Sequence, residues 1–274
     1  MSFQFARRLG LLGLAAATVT SVAHAQGTAA YAPGKLRYHV LTVLTRSQPL
    51  GGGRAPFDFT TTTHEWIAID VGTPAHDTLP LEMTVDSIRI TSTLDAPPPD
   101  TKIYQGAKFT GTMSSRGHIY ALRLSAGTAE PRLDAFAIAL KRWLVPLPQK
   151  VLAAGASWAD TVVEHPKVNT IDITSSSVTT YKVAGDTTVD GQHAWRIDRF
   201  TTIAQLGKGT EAGQPLEISG SGTITGVHFF TASGIFLGSQ STQRSDLMEK
   251  MNESEGAPIQ QTLKSTVELI PSGI

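Results

Sequence analysis

The side chains able to do covalent chemistry are present in this chain but scattered. No serine sits in a G-x-S-x-G elbow: Ser221 lies within Ser219-Gly220-Ser221-Gly222-Thr223 and lacks both outer glycines. None of the ten lysines has a serine three residues before it, so the S-x-x-K arrangement of acyl-transfer enzymes is absent. Metal chemistry needs clustered ligands, and no two of the eight histidines fall within five residues of each other. His64-Glu65 opens like H-E-x-x-H, but Ala68 stands where the second histidine is needed. Asp77, Asp86 and Asp95 are too dispersed for a calcium loop, which gathers its ligands within twelve residues. Gly51-Gly52-Gly53-Arg54 runs into Ala55-Pro56 and a strand, whereas a phosphate loop leads into a helix. These residues predict a non-enzymatic protein with no cofactor and no metal.

The composition narrows the partners. The 274 residues carry 23 basic and 23 acidic side chains, and no cysteine. Charge balance argues against nucleic acid, whose phosphates need a basic excess. Without cysteine there are no disulfides, no thiolate metal sites and no lipid-modified cysteine, so the fold must rest on a hydrophobic core. Apolar residues make up 41% of the chain, enough for one.

The first 25 residues read as an export signal. Arg7 and Arg8 form a charged n-region, Leu9 to Val22 a short apolar run, and Ala23-His24-Ala25 a small-x-small cleavage site before Gln26. The apolar run is shorter than the ~20 residues that cross a bilayer. Cleavage after Ala25 would leave a net charge of −2 and no membrane span. The expected location is the periplasm or the extracellular space, in soluble form.

The elements that would carry any site are mostly strands. Threonine is abundant, at 34 residues, and β-branched side chains suit strands. Candidate strands are Leu36 to Thr45, Phe57 to Val71 and Leu81 to Leu94, the last with a phase slip at Ser87 that predicts a β-bulge. Lys108 to Met113 and His118 to Leu124 flank the turn Ser114 to Gly117, and Trp158 to Glu164 follows later. Asp190-Gly191 between Thr179 to Val189 and Gln192 to Ile203 is a strong hairpin signal. Pro215 to Phe230, Ile235 to Ser241 and Ile259 to Ile270 complete the set, with Arg244 to Glu253 ambiguous between strand and helix and assigned to strand. One helix stands out: after Pro131, residues Leu133, Phe136, Ala137, Leu140 and Leu144 recur at i, i+3, i+4 spacing, until Pro146 and Pro148.

The fold class expected is therefore mostly β. It consists of curved antiparallel sheets or a half-barrel in two similar halves, with one main amphipathic helix between them. The N-terminal β half covers 26–129, the helix and Pro-rich connection 130–149, and the C-terminal β half 150–274, in one compact unit. The tryptophans 66, 143, 158 and 195 fill a core or line an apolar cavity.

Gly155-Ala156-Ser157-Trp158, then Thr180-Tyr181-Lys182-Val183, then Val189-Asp190-Gly191 through Arg196-Ile197, resemble the pattern of a class of uncharacterised bacterial exported β-rich proteins. In outline that class is similar to the periplasmic lipoprotein-carrier half-barrels, whose curved sheet encloses an apolar concavity plugged by helices. The resemblance implies non-enzymatic carriage of an acyl chain, lipid or lipoprotein segment, and it carries over no individual ligand residue. With the helix Pro131 to Leu144 as a movable plug, its apolar side chains Phe136, Leu140 and Trp143 are the ligand-binding residues expected. The alternative is a structural or protein-interaction module of the cell envelope with no ligand cavity, its partner another envelope protein.

Overall fold

A computed structural model describes residues 29–49, 55–76, 78–95, 99–168, 170–211, 213–251 and 256–271. The export segment at 1–25 and the loop Gly51 to Arg54 lie outside them. Among the described residues the protein is mostly β, built from one open, curved antiparallel sheet and a single short helix. The strands are β1 (Gly34–Gln48), β2 (Phe57–Val71), β3 (Thr78–Ser92), β4 (Lys108–Ser114) and β5 (Ile119–Ala126). The helix α1 (Pro131–Lys141) follows, then β6 (Ser157–Glu164) and β7 (Lys167–Val168). The second run comprises β8 (Ile171–Val189), β9 (Gln192–Glu211), β10 (Gln214–Phe230), β11 (Phe236–Met251) and β12 (Ala257–Ile270).

Neighbours along the sheet run β5-β4-β3-β2-β1-β12-β11-β10-β9-β8-β6, with β7 paired to β8 off this path. Each half is a meander, and the first strand joins the last: Val40 faces Val267 across the β1–β12 ladder. The sheet ends at β5 and β6, and α1 lies against β5 on one side and β7 on the other. Arg142, just past the helix, forms an ion pair with Glu164 of β6. The helix thus bridges the two open edges.

Alternation sorts each strand into an inner and an outer row. The inner rows are apolar toward one end. Tyr38, Ile67, Met83 and Phe109 from the first half and Val183, Ile197, Phe230 and Phe236 from the second belong to one buried cluster with Leu133 and Leu140 of α1. The Tyr38 hydroxyl donates to the Phe236 carbonyl at 2.8 Å, and Tyr31 donates to Val145 at 3.0 Å, so the buried phenols keep partners. Toward the other end the inner rows turn to Thr42, Thr63, Gln243, Ser245 and Gln261, with Arg46 and Glu249 paired at 3.0 Å.

Two backbone features shape the sheet. Asp190 and Gly191 both have positive φ, 49° and 77°, as a two-residue hairpin turn between β8 and β9 requires. Gly220 and Gly222 sit on an inner row of β10, where a Cβ would run into the backbone of Asp246 or Arg244 on β11. There the sheet curls too tightly for a larger side chain.

Candidate functional site

The residues named from sequence as ligand contacts lie around α1. Leu140 is 1% exposed inside the core. Phe136 packs its ring on Tyr104 and Phe109 at centroid separations of 5.4 and 5.9 Å, and Trp143 is partly buried against the same cluster. Trp158 and Trp195 also pack against this core, and Trp158 Nε1 donates to the Pro146 carbonyl at 2.7 Å.

Trp66 is different. It belongs to the outer row of β2, directly opposite His39 of β1. His64 follows two residues earlier on the same face. His39 Nε2 and His64 Nδ1 are 3.0 Å apart, one donating and the other accepting according to tautomer. Their rings are inclined by only 13° with centroids 5.3 Å apart. Since the nitrogens approach more closely than the ~3.5 Å of face-to-face contact, these two rings meet edge to edge. The Trp66 ring is inclined 29° to His39, at 4.9 Å. At that separation Trp66 lies over the face of His39, and with His64 6.0 Å away at 18° the three rings form one stacked cluster on the outer face.

Charged side chains border this patch. Glu268 faces His39 from β12, with Oε2 4.0 Å from Nδ1. Arg89 of β3 faces His64. Arg37 Nε donates to Asp86 Oδ2 at 2.7 Å. Asp86 owes its position to the β2–β3 register shift: Trp66 pairs with Ser87 and Ile67 with Val85, leaving Asp86 as the extra residue. A bulge of this kind re-aims a side chain, here toward Arg37. The phase slip read at Ser87 is this bulge.

A shallow groove of about 570 Å³ continues across the outer face of β9 to β12. Its outward side chains include Arg196, Asp198, Thr225, Gln240, Lys264 and Thr266. Arg196 Nε donates to Asp198 Oδ1 at 2.9 Å. Ring patch and groove are joined by one transverse row of paired residues: His64, Leu41, Thr266, Gln240, Val227 and Asp198, one from each of six adjacent strands.

Two ionisable groups sit on inner rows. Glu65 of β2 is desolvated, which pushes its carboxyl up to about 7. His228 of β10 is fully buried, and burial together with the nearby Arg199 charge pushes its imidazole down to about 3. Neither His228 nitrogen has a hydrogen-bond partner, and the buried Ser175 hydroxyl has none either. Among the described residues no group of three or more His, Cys, Asp or Glu converges as metal ligands.

No family model matches the chain, and no curated protein does. Solved structures to which it is similar include OccK5 (OpdH) of Pseudomonas aeruginosa, at 9% identity and TM-score 0.30, covering 86% of this chain and 98% of that one. A BenF-like porin from Pseudomonas fluorescens Pf-5 gives 7% identity and TM-score 0.26, covering 86% and 99%. The COG4313 outer membrane channel from Pseudomonas putida F1 gives 9% and 0.22, covering 89% and 98%.

These findings correct the function drawn from sequence. The solved structures to which the chain is similar include a BenF-like porin and an outer membrane channel, where a soluble periplasmic carrier of hydrophobic ligands was expected. The soluble periplasmic or extracellular location is corrected on the same finding. A physical reason accompanies it. The apolar inner residues are spent on one another, in a cluster that includes Leu133, Ala137 and Leu140 of the helix meant to plug a hollow.

Proposed function

We propose that this chain is a non-enzymatic binding protein whose ligand lies on the outer face of its sheet, across β2, β1 and β12. The observation that carries this reading is the stacked cluster of His39, His64 and Trp66 on the outer face. Trp66 is the tryptophan that does not pack against the core cluster, and large rings left on a polar face are the usual anchors of recognition. Beside the rings Arg37 is paired with Asp86, which fixes both side chains in advance of any ligand. The outer rows also carry Arg244, Asp246 and Lys264 at mid-strand, a surface suited to a polar ligand.

The test is co-sedimentation with fragmented bacterial envelopes. The pelleted fraction of wild-type protein is expected to fall several-fold in Trp66→Ala. It should be unchanged in Tyr120→Ala, which removes an exposed ring from the distant β5. Equal pelleting of wild type and Trp66→Ala would sink the reading.

A further inference from the structure

We infer that His39 Nε2 and His64 Nδ1 together bind a divalent transition-metal ion, an inference that goes beyond the binding reading above and stands on the geometry of the cluster alone. The two nitrogens are 3.0 Å apart while the ring centres are 5.3 Å apart, so each nitrogen stands on the edge turned toward the other ring. Two nitrogens that bind one ion at ~2.0 Å stand about 2.8 Å apart at the right angle of tetragonal copper, and about 3.3 Å apart at the tetrahedral angle of zinc. The observed spacing lies between the two. Without metal the gap holds the one proton that joins the pair, on one nitrogen or the other according to tautomer. When the ion takes its place, that proton passes through solvent to His64 Nε2, and both rings stay neutral.

The neighbours prepare this pair. Trp66 lies over the face of His39 at 4.9 Å, which leaves the nitrogen edge of that ring to His64. Glu268 stands on the Nδ1 side of His39, with Oε2 4.0 Å away. A carboxylate there favours the tautomer with its proton on Nδ1, whose Nε2 lone pair faces His64. Arg37 is neutralised by Asp86. Arg89 of β3 faces His64 and opposes a cation, while Glu268 attracts one. Imidazole nitrogens select copper, nickel or zinc over magnesium and calcium, which take oxygen ligands. Two side chains leave coordination positions for water or for a donor atom of a ligand on the outer face.

Titration of the chelator-treated protein with copper(II) chloride tests this, read by calorimetry and by tryptophan fluorescence, since copper(II) quenches an indole as close as Trp66. Saturable binding of one equivalent is expected. His39→Gln and His64→Gln should each weaken it about tenfold or more, because each removes one of the two ligands. Glu268→Gln should weaken it by a smaller factor, and Arg89→Gln should strengthen it. His118→Gln, which removes an exposed histidine beside β5, should leave it unchanged. Calcium chloride should give no binding. Absence of copper binding by wild type, or binding of equal strength in wild type, His39→Gln and His64→Gln, overturns the inference. Envelope pelleting is a separate readout. If copper binding fails while pelleting still depends on Trp66, the outer-face reading stands and only the metal site falls. If pelleting is also independent of Trp66, both fall.

Discussion

Glu65 and His228 sit on inner rows of the same sheet, yet they impose opposite pH dependences. The Glu65 carboxyl rises from 4.5 to about 7 on folding. Its contribution is therefore intact below pH 4.5 and is lost as pH climbs to 7, since only the unfolded chain releases the proton in that window. At ~1.4 kcal/mol per pH unit the loss reaches about 3 kcal/mol. His228 falls from 6.5 to about 3. Its contribution is intact above pH 6.5 and is lost as pH drops toward 3, where only the unfolded chain takes up the proton. Between pH 4.5 and 6.5 the two slopes cancel. Urea midpoints across pH 3.5 to 8 should trace a plateau with a fall on each side. Glu65→Gln should remove the neutral-side fall, and His228→Leu the acid-side one. His228→Leu should also gain ~1–3 kcal/mol at neutral pH, because it deletes two buried nitrogens without partners. A profile in which neither variant changes its own limb would refute the assignment. Neither group could be singled out from sequence, because burial is a property of the assembled sheet. The ring patch was legible only indirectly: once Gln48 faces Phe57 across the β1–β2 hairpin, antiparallel geometry puts His39 opposite Trp66. Residues 25 positions apart carry no local motif, and without the register each histidine reads as isolated.

Local pattern was a good guide to individual elements wherever side chains alternate or recur cleanly. The sequence reading of β2 coincides with the strand, Phe57–Val71, and the helix stripe from Leu133 to Leu140 is buried as its spacing requires. It failed where hydroxyls replace apolar residues. Strand β8 begins at Ile171, eight residues before the reading placed it, because Thr174-Ser175-Ser176-Ser177 offers no alternation. Its inner hydroxyls are satisfied in part across the ladder, with Thr179 and Thr201 2.9 Å apart. Strand β11 likewise runs unbroken from Phe236 to Met251 through Ser241-Thr242-Gln243, where the sequence suggested two pieces. The register of the neighbouring strands holds such segments. Two substitutions separate these regimes. Leu140→Ala empties a buried site between helix and sheet and should cost ~2–5 kcal/mol. Phe200→Ala removes a half-exposed ring from an outer row and should cost under about 1 kcal/mol. Thermal melts of the two variants against wild type would show the difference, and comparable losses would mean that α1 is not anchored through Leu140.

The whole molecule is held by a pairing that no local signal announces: the first strand lies beside the last. Eleven residue pairs join β1 to β12, from Arg37 and Ile270 to Ser47 and Gln260. Cutting the chain between its two meanders would therefore leave both halves joined through the middle of the sheet. The apolar cluster crosses the same boundary, since Tyr38 meets Phe236 and Tyr31 meets Phe230, at ring separations of 5.8 and 5.0 Å. The helix ties the far edges by resting on β5 and β7. With ladder, core and helix all shared, neither half has a surface at which it can melt alone. A single cooperative transition is expected, although the sequence divides readily into two similar β runs. Tryptophan placement makes this measurable. A protein keeping only Trp66 reports on the first meander, and one keeping only Trp195 on the second, with the other indoles replaced by phenylalanine. Their urea midpoints should agree within error after correction for each variant's own stability by circular dichroism. Tyr38→Phe, which breaks the bond to the Phe236 carbonyl across the boundary, should lower both fluorescence midpoints together. Two separated transitions, or a shift confined to one reporter, would show that the β1–β12 seam is weaker than the ladders on either side of it.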